Sequence, residues 1–197
     1  MLKDIRVLSV ENKKDNYIVH FSNGESAILK EDEVVKYRLV KGKDISSTTY
    51  EEIIENIMIY EAYYKALKYY NLYYKSGHDI YIYLLDKGYS KDVSQEAVDM
   101  LFKNNILDDE KYKRNLVDKY TRSSYGRLYI EQKLKSHGLS QDYEINDELY
   151  YDSLKELAQK RLKLLKDNKE IKLKKYLLSR GYLLSEINEV LRGIDFD

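Results

Sequence analysis

Residues 84–89 read Leu-Leu-Asp-Lys-Gly-Tyr, and the same kind of phrase returns as Leu-Lys-Ser-His-Gly-Leu at 134–139 and as Leu-Leu-Ser-Arg-Gly-Tyr at 177–182. Each copy is an apolar residue, three mostly polar residues, a glycine and a second apolar residue. Just past the last turn of a helix, glycine adopts the left-handed conformation that strains other residues. The apolar residue after it folds back onto the helix, as in a Schellman motif. The phrase therefore predicts that three helices end at the same kind of corner.

The three corner glycines, Gly88, Gly138 and Gly181, lie 50 and 43 residues apart along the chain. Self-similarity at such a period is typical of stacked helical repeats, which present a long surface to a partner. A serine follows each glycine within four residues, and serine is a favoured helix N-cap. We therefore expect each corner to lead into another helix. The expected caps are Ser90, Ser140 and Ser185.

The composition favours a mostly helical chain. Its 197 residues include no proline, the strongest helix breaker, and only 8 glycines. Charged residues make up 35% of the chain, which indicates much solvated helix surface, and the 22 tyrosines imply a core with hydroxyls that need partners. The formal net charge is zero, so the chain as a whole is not drawn to nucleic acid. Binding of that kind would need a local patch of positive charge.

The sequence also bears on the compartment of the protein. It has no cysteine, which excludes disulfides and thiolate chemistry and fits a reducing cytoplasm. No apolar run approaches the length of a transmembrane helix, and residues 1–5, Met-Leu-Lys-Asp-Ile, lack the apolar stretch of a signal peptide. We therefore expect a cytoplasmic protein without membrane contacts.

The first part of the chain reads as a small sheet with one helix. Residues 5–10 alternate weakly, as a strand does, and residues 17–21 and 26–29 read as two further strands. Between the latter two lies Ser-Asn-Gly-Glu at 22–25, and Asn-Gly is a strong signal for a hairpin turn. An acidic first turn at 31–33 then complements the dipole of a short helix.

Downstream of this module, apolar residues recur at helical spacing. Thr49 and Glu52 have the spacing of a capping box at the start of a long first helix. We expect a mostly α chain, in which a small N-terminal sheet-plus-helix module precedes three tandem three-helix repeats in an elongated, curved array. The expected units are the module at 1–48 and the repeats at 49–107, 108–152 and 153–197.

Three stretches carry a more specific pattern. Residues 66–89 begin Ala-Leu-Lys-Tyr-Tyr and contain Lys-Ser at 75–76 before the first corner. Residues 107–112 read Leu-Asp-Asp-Glu-Lys-Tyr, and the third corner runs on to apolar residues near position 191. In this order they resemble the RecX family, small bacterial regulators of the RecA recombinase. The strand, turn and short helix of residues 5–42 resemble an extra N-terminal module of some members, so the resemblance covers nearly the whole chain.

The resemblance implies a non-enzymatic, monomeric protein that acts in homologous recombination, DNA repair and the SOS response. It implies binding along the filament that RecA forms on single-stranded DNA, with modulation, chiefly inhibition, of ATP hydrolysis and strand exchange. Single- or double-stranded DNA is a further expected partner. This chain departs from the family at Tyr73, Lys75 and Tyr81, where members often have arginines, and at Lys113, where a small residue is usual.

The residues give little support to catalysis. His20, His78 and His137 have no ligand spacing, and we expect His137 to favour a helix C-terminus through its partial charge. The Asp-Asp-Glu at 108–110 could bind a metal, but we prefer the interpretation that Asp108 caps a helix. The glycines form no nucleotide-binding pattern. We therefore predict no catalytic residue, no metal site and no cofactor.

Positive charge is concentrated near the end of the chain. Residues 153–192 hold eleven basic and five acidic side chains, although the whole chain is neutral. Lysines on a solvated helix face are the ordinary explanation, but the asymmetry favours binding to phosphate or to an acidic protein surface. A weaker basic set lies at 119–135. The candidate partner- or DNA-binding residues are Lys160, Arg161, Lys163, Lys169, Lys172, Lys174, Lys175, Arg180, Arg122 and Arg127.

Two other functions stay open on the sequence alone. Three-helix units resemble helix-turn-helix modules, so the chain could bind DNA without RecA. It could also be a helical adaptor that makes no DNA contact. Tyr73, Tyr74 and Tyr81 flank the first corner and could stack on bases of single-stranded nucleic acid, although most tyrosines are better explained as core residues.

Overall fold

A four-stranded sheet and nine helices make up residues 4–194, the part of the chain that the computed structural model describes. The mostly α fold with a small N-terminal sheet is confirmed. The first unit takes residues up to 73 together with 81–104, and the second unit takes 74–80 together with residues from 105 onward. The elements are β1 (Ile5–Lys13), β2 (Asn16–Phe21), β3 (Ser26–Leu29), α1 (Glu31–Lys36), β4 (Asp44–Ile45), α2 (Ser47–Leu72), α3 (Gly77–Asp86), α4 (Lys91–Lys103), α5 (Asp109–Arg122), α6 (Arg127–Ser136), α7 (Asp147–Leu162), α8 (Lys169–Ser179) and α9 (Leu184–Leu191).

The sheet of the first unit is antiparallel, with the strand order β3-β2-β1-β4. The predicted hairpin between β2 and β3 is confirmed, and Gly24 in its turn has a φ of +88°. A register shift between Val7 and Ser9 interrupts the pairing of β1 with β2. The sequence did not predict β4, because a strand of two residues has no periodicity to detect.

One face of the sheet packs on the start of α2 and forms one apolar core of the first unit. The rings of Phe21 and Tyr50 meet edge to face at 5.0 Å. The helix begins earlier than the capping box predicted, because Ser46 is the N-cap and its hydroxyl accepts the N–H of Thr49 at 3.1 Å. The core residues are Val7, Val19, Phe21, Ala27, Leu29, Tyr37, Leu39, Ile45, Tyr50 and Ile53.

The second unit has two apolar cores. One lies between α5 and α6, and the other lies among α7, α8 and α9. The first contains Tyr112, Leu116, Val117, Ile130, Leu134 and Leu139. The second contains Tyr150, Leu154, Ala158, Leu173, Leu177, Tyr182, Ile187 and Leu191.

The three predicted helix ends are confirmed as Schellman corners. Their glycines have φ values of +90°, +67° and +86° in chain order. The N–H of the apolar residue after each glycine donates to the carbonyl five residues earlier, at 3.2, 2.9 and 3.3 Å. The glycine N–H donates to the carbonyl three residues earlier, at 2.9, 3.0 and 2.9 Å. Both hydrogen bonds of the motif are therefore present in every copy.

The serines that follow the corners have different roles. Ser90 is the N-cap of α4, as predicted, and accepts the N–H of Val93 at 3.2 Å. The prediction is wrong for Ser140, whose hydroxyl accepts a hydrogen bond from the buried ammonium of Lys113 at 2.9 Å. Six residues without helix follow it, and Asn146 caps α7 instead.

The prediction is also wrong for Ser185, which lies in the first turn of α9. The N-cap of that helix is Leu183, and its N–H donates to the carboxylate of Glu186 at 2.8 Å. Glu186, the third residue of the helix, thus accepts the backbone N–H of the N-cap residue, as the acidic residue of a capping box does.

A single helix, α7, occupies the region where the sequence predicted the last helix of one repeat and the first helix of the next. The expected boundary between residues 152 and 153 falls inside it, because apolar spacing continues there without a glycine or other breaker. The division into three-helix repeats stays a prediction. Its expected limits at residues 1 and 197 lie outside the described residues.

Candidate partner-binding surface

The positive charge near the end of the chain is concentrated in residues 160–175, here called the basic segment. It comprises the last turn of α7, the connection to α8 and most of α8. Eight basic and two acidic residues lie within it, so it accounts for the whole excess counted over 153–192. The uneven charge of the sequence therefore corresponds to one continuous piece of structure in the second unit.

Helix α8 places its lysines by ordinary amphipathic spacing. Leu173 and Leu177 are fully buried against α7 and α9, while Lys172 and Lys175 are exposed. Residues three apart lie on the same side of a helix, so these two ammonium groups share one surface. Lys169, the first residue of the helix, lies half-buried one turn before Lys172.

Three lysines of the segment form surface ion pairs. Lys160 lies 3.0 Å from Glu156, Lys172 lies 2.6 Å from Asp167, and Lys174 lies 2.6 Å from Glu170. The hydrogen bond from Lys172 holds the pKa of the Asp167 carboxyl below its ordinary value. Exposed pairs of this kind contribute about 0–1 kcal/mol each, so these lysines can exchange a carboxylate for a phosphate at little cost.

Three further lysines, Lys163, Lys166 and Lys175, have no ion-pair partner within residues 4–194. Lys163 is the exposed C-cap of α7, and Lys175 is exposed on α8. Arg161 differs from these lysines, because its guanidinium lies over the ring of Tyr176 at 4.8 Å and joins α7 to α8. The lysines supply accessible charge, whereas Arg161 also helps to fix the surface that carries it.

Arg180 was predicted to bind a partner, but the structure engages its guanidinium internally. It lies 3.6 Å from the ring centre of Tyr125 and donates to the carbonyls of Ser123, at 2.5 Å, and Ser124, at 3.0 and 3.1 Å. It thereby ties the third corner to the loop between α5 and α6. Arg122 is exposed at the end of α5, next to the residues that Arg180 holds.

Arg127 is also engaged internally. Its guanidinium donates to Glu186 at 3.0 Å and to Asp147 at 2.6 Å, and it lies 4.8 Å from the ring centre of Tyr150. The Tyr150 hydroxyl donates to the same buried Glu186 carboxylate at 2.9 Å, and burial raises the pKa of that phenol. Arg127 and Arg180 both stabilise the second unit from within and are half-buried, whereas Lys163 and Lys175 are exposed. That these two arginines bind a partner stays a prediction.

The apolar part of this surface was not predicted from the sequence. Leu164 is 72% exposed, Ile171 59% and Leu178 45%, although all three are large aliphatic side chains. Ile171 and Leu178 lie seven residues apart on α8 and share a side of the helix with the lysine between them, Lys174. The signal was present in the sequence, because Leu173 and Leu177 mark the buried side and these residues fall outside it.

The carboxylates considered as a metal site already have protein partners, and Glu110 pairs with Lys113. Asp108 accepts the N–H of Lys111 at 2.8 Å, which confirms its interpretation as the N-cap of α5. Asp109 accepts the N–H of Gly77 at 2.9 Å, and burial raises the pKa of its carboxyl. Among residues 4–194, no three His, Cys, Asp or Glu side chains are placed to share a metal ion.

His137 has a more specific partner than the helix dipole. Its Nδ1 lies 2.7 Å from a carboxylate oxygen of Asp79, and its ring meets that of Tyr112 edge to face. Of the tyrosines considered for base stacking, Tyr73 is 55% and Tyr74 is 44% exposed, and each also meets another tyrosine ring. Tyr81 is half-buried. None of the helices within residues 4–194 has the length and apolar character to cross a membrane.

Comparison with known proteins gives a consistent result. No protein-family model matches the chain. A regulatory protein RecX of Clostridium acetobutylicum is 26% identical over 96% of this chain and 94% of its own length. One from Clostridium tetani is 25% identical over 98% of this chain and 95% of its own length.

A crystal structure of a regulatory protein RecX superposes with a TM-score of 0.74 and 18% identity. It covers 95% of this chain and 99% of the solved one, which shows that the two share a fold. The two Clostridium relatives match nearly the full length of the chain. The proteins that this chain resembles, in sequence along nearly its whole length and in fold, are RecX regulatory proteins, and these findings support the RecX family for it.

Proposed function

We propose that this chain regulates the RecA recombinase by binding the filament that RecA forms on single-stranded DNA, and that it inhibits ATP hydrolysis and strand exchange. Its relatives are named regulatory proteins. The single observation that carries the proposal is the basic segment, in which exposed lysines lie beside the exposed Leu164 and Ile171.

The mixture of charge and apolar surface favours a nucleoprotein over naked DNA. Lysines that neutralise phosphates release counterions, and this supplies affinity that falls steeply with salt. Exposed aliphatic side chains contribute little binding free energy against a phosphate backbone. They contribute more when a protein surface covers them and removes their apolar area from water. A filament of protein wrapped on DNA offers both kinds of surface to one face.

The proposed action is binding, and we propose neither a catalytic residue nor a cofactor. Three side chains of the second unit that were considered for chemistry already have structural roles as helix caps or internal partners: Asp108, Asp109 and His137. We further propose that the chain acts as a monomer, which light scattering at micromolar concentration would test.

The direct experiment measures RecA-dependent ATP hydrolysis and strand exchange on single-stranded DNA while the chain is added at micromolar concentration. We expect both activities to fall. Unchanged activities in the presence of protein that circular dichroism shows to be folded would contradict the proposal.

A second candidate function, DNA binding without RecA, is favoured by the six excess positive charges of the basic segment. It predicts tight binding to duplex or single-stranded DNA alone, with a steep dependence of affinity on salt. The proposed function instead predicts that binding to DNA alone is much weaker than binding to the RecA filament. Titration of both targets at several salt concentrations separates the two functions.

A further inference from the structure

The third corner of the chain, which lies in the second unit, contacts the beginning of another helix. Gly126, the N-cap of α6, donates its N–H to the carbonyl of Arg180 at 2.9 Å, and Leu128 donates to the carbonyl of Gly181 at 3.0 Å. The approach is so close that a β-carbon on Gly126 would lie 2.2 Å from the backbone of Gly181. A helix N-terminus, with its free N–H groups, thus lies directly on a helix C-terminus, with its free carbonyls.

The second corner is used in the same way. The hydroxyl of Ser76, which precedes α3, donates to the carbonyl of His137 at 2.8 Å. The Asp79 carboxylate in the first turn of α3 pairs with the His137 ring. A β-carbon on Gly138 would lie 2.5 Å from the side chain of His78, so this glycine also permits a close approach.

In the two contacts, the residue that begins the docked helix lies at the same distance along the chain from the corner glycine that ends this helix. Ser76 lies 12 residues before Gly88, and Gly126 lies 12 residues before Gly138. In both, a small residue at the start of a helix donates to the carbonyl of the residue just before a corner glycine. At its second and third corners, the chain therefore binds the N-terminus of a helix that begins with serine or glycine.

The first corner has the same backbone and is open. Gly88 has a φ of +90°, makes both Schellman hydrogen bonds and is exposed together with Lys87. A β-carbon built on Gly88 would meet no atom within 4 Å, in contrast to Gly138 and Gly181. The space that a helix start fills at the other two corners is available here.

We propose that the first corner is a docking site for the N-terminus of a helix of the partner protein, one that begins with serine or glycine. Its N–H or hydroxyl groups would donate to the carbonyl of Lys87, as at both other corners, and to that of Gly88, as at the third corner. This inference rests on the proposed function, so the partner is RecA. A second copy of this chain fits less well, because the residue 12 positions before Gly181 is Lys169, and Asn168 before it is left-handed.

The test compares Gly88→Ala with Gly24→Ala. The two glycines have φ values of +90° and +88°, and neither would place a β-carbon within 4 Å of another atom. The substitutions therefore bring the same backbone strain, and equal shifts of the unfolding temperature would verify this. Only the methyl group at position 88 would lie where the partner helix must approach.

The measurement is fluorescence anisotropy of the labelled full chain binding to RecA filaments assembled on oligo-dT. We expect Gly88→Ala to weaken binding at least tenfold and Gly24→Ala to leave it within twofold of the unsubstituted chain. Equal binding by the two variants would overturn the docking site while leaving the proposed function in place. If the unsubstituted chain itself fails to bind the filament, the proposed function and this partner both fall. A dimer that light scattering detects and Gly88→Ala abolishes would assign the corner to a second copy, against the inference.

Discussion

The guanidinium of Arg127 lies 3.0 Å from the carboxylate of Glu186, although 59 residues separate the two along the chain. The carboxylate is only 6% exposed and also accepts the Tyr150 hydroxyl and the N–H of Leu183. One buried acid therefore joins the starts of α6 and α9 to α7. A buried charge held by several donors is costly to leave without its partner.

The first prediction follows from this network. Glu186→Gln removes the charge that faces Arg127 and replaces one acceptor with a donor, so we expect the free energy of unfolding to fall by about 1–3 kcal/mol. Glu148→Gln is the control, because Glu148 is exposed in the first turn of α7. Urea denaturation of both variants checks the difference. Equal stability of the two would show that the network contributes nothing beyond surface charge.

The second prediction concerns Gly126, whose φ of −80° suits any residue. Gly126→Ala brings no backbone strain, yet its β-carbon would overlap the backbone of Gly181, which has no flexible end to move. We expect a loss of about 3 kcal/mol or more, or failure to fold. Gly24→Ala, which is strained but unobstructed, should lose only about 1 kcal/mol. A Gly126→Ala protein as stable as the unsubstituted chain would rule out the close contact of α6 with the third corner.

These two examples show what the sequence could and could not predict. The three corners were predictable because a Schellman motif is made by six consecutive residues and needs no distant partner. The internal roles of Arg127 and Arg180 were not, because their partners lie 20 to 59 residues away and only the tertiary structure brings them together. The positive charge of the basic segment was predictable, since the spacing of apolar residues along a helix shows which lysines face the solvent.

The third prediction concerns alkaline pH. Burial raises the pKa of Tyr112 and of Tyr143 to about 12, and it raises the pKa of Tyr182 as well. The folded state thus favours the neutral phenols, so their contribution to stability is complete below about pH 10 and is lost as the pH rises through the folded-state pKa. Absorbance at 295 nm should show these tyrosines ionising together with the loss of helical circular dichroism. Their ionisation near pH 10 in fully helical protein would contradict the prediction.

The fourth prediction isolates Tyr143. Its hydroxyl is buried and makes no hydrogen bond within residues 4–194. Tyr143→Phe should therefore leave stability at pH 7 unchanged or raise it by up to about 1 kcal/mol, since a buried unpaired hydroxyl carries a desolvation cost. It should also move the alkaline unfolding midpoint upward. Urea denaturation at pH 7 and at pH 11 measures both effects, and a loss above about 1 kcal/mol at pH 7 would mean that the hydroxyl has a partner in solution.

The fifth prediction separates charge from apolar surface in the basic segment. Reversal of two exposed lysines in Lys163→Glu/Lys175→Glu should weaken binding to the RecA filament and to DNA alone by roughly tenfold or more, and lower the salt dependence of both. Ile171→Asp should weaken binding to the filament by more than twofold and should change binding to DNA alone by less than twofold. The reason is that an exposed aliphatic side chain is buried by a protein surface and not by a phosphate backbone.

The matched control is Lys103→Glu, which reverses an exposed charge at the end of α4, outside the basic segment. It should leave both affinities within twofold of the unsubstituted chain. If Ile171→Asp weakens binding to naked DNA and to the filament by the same factor, the aspartate acts only as a negative charge. The surface would then be a phosphate-binding face, and DNA binding without RecA would become the better account of this chain.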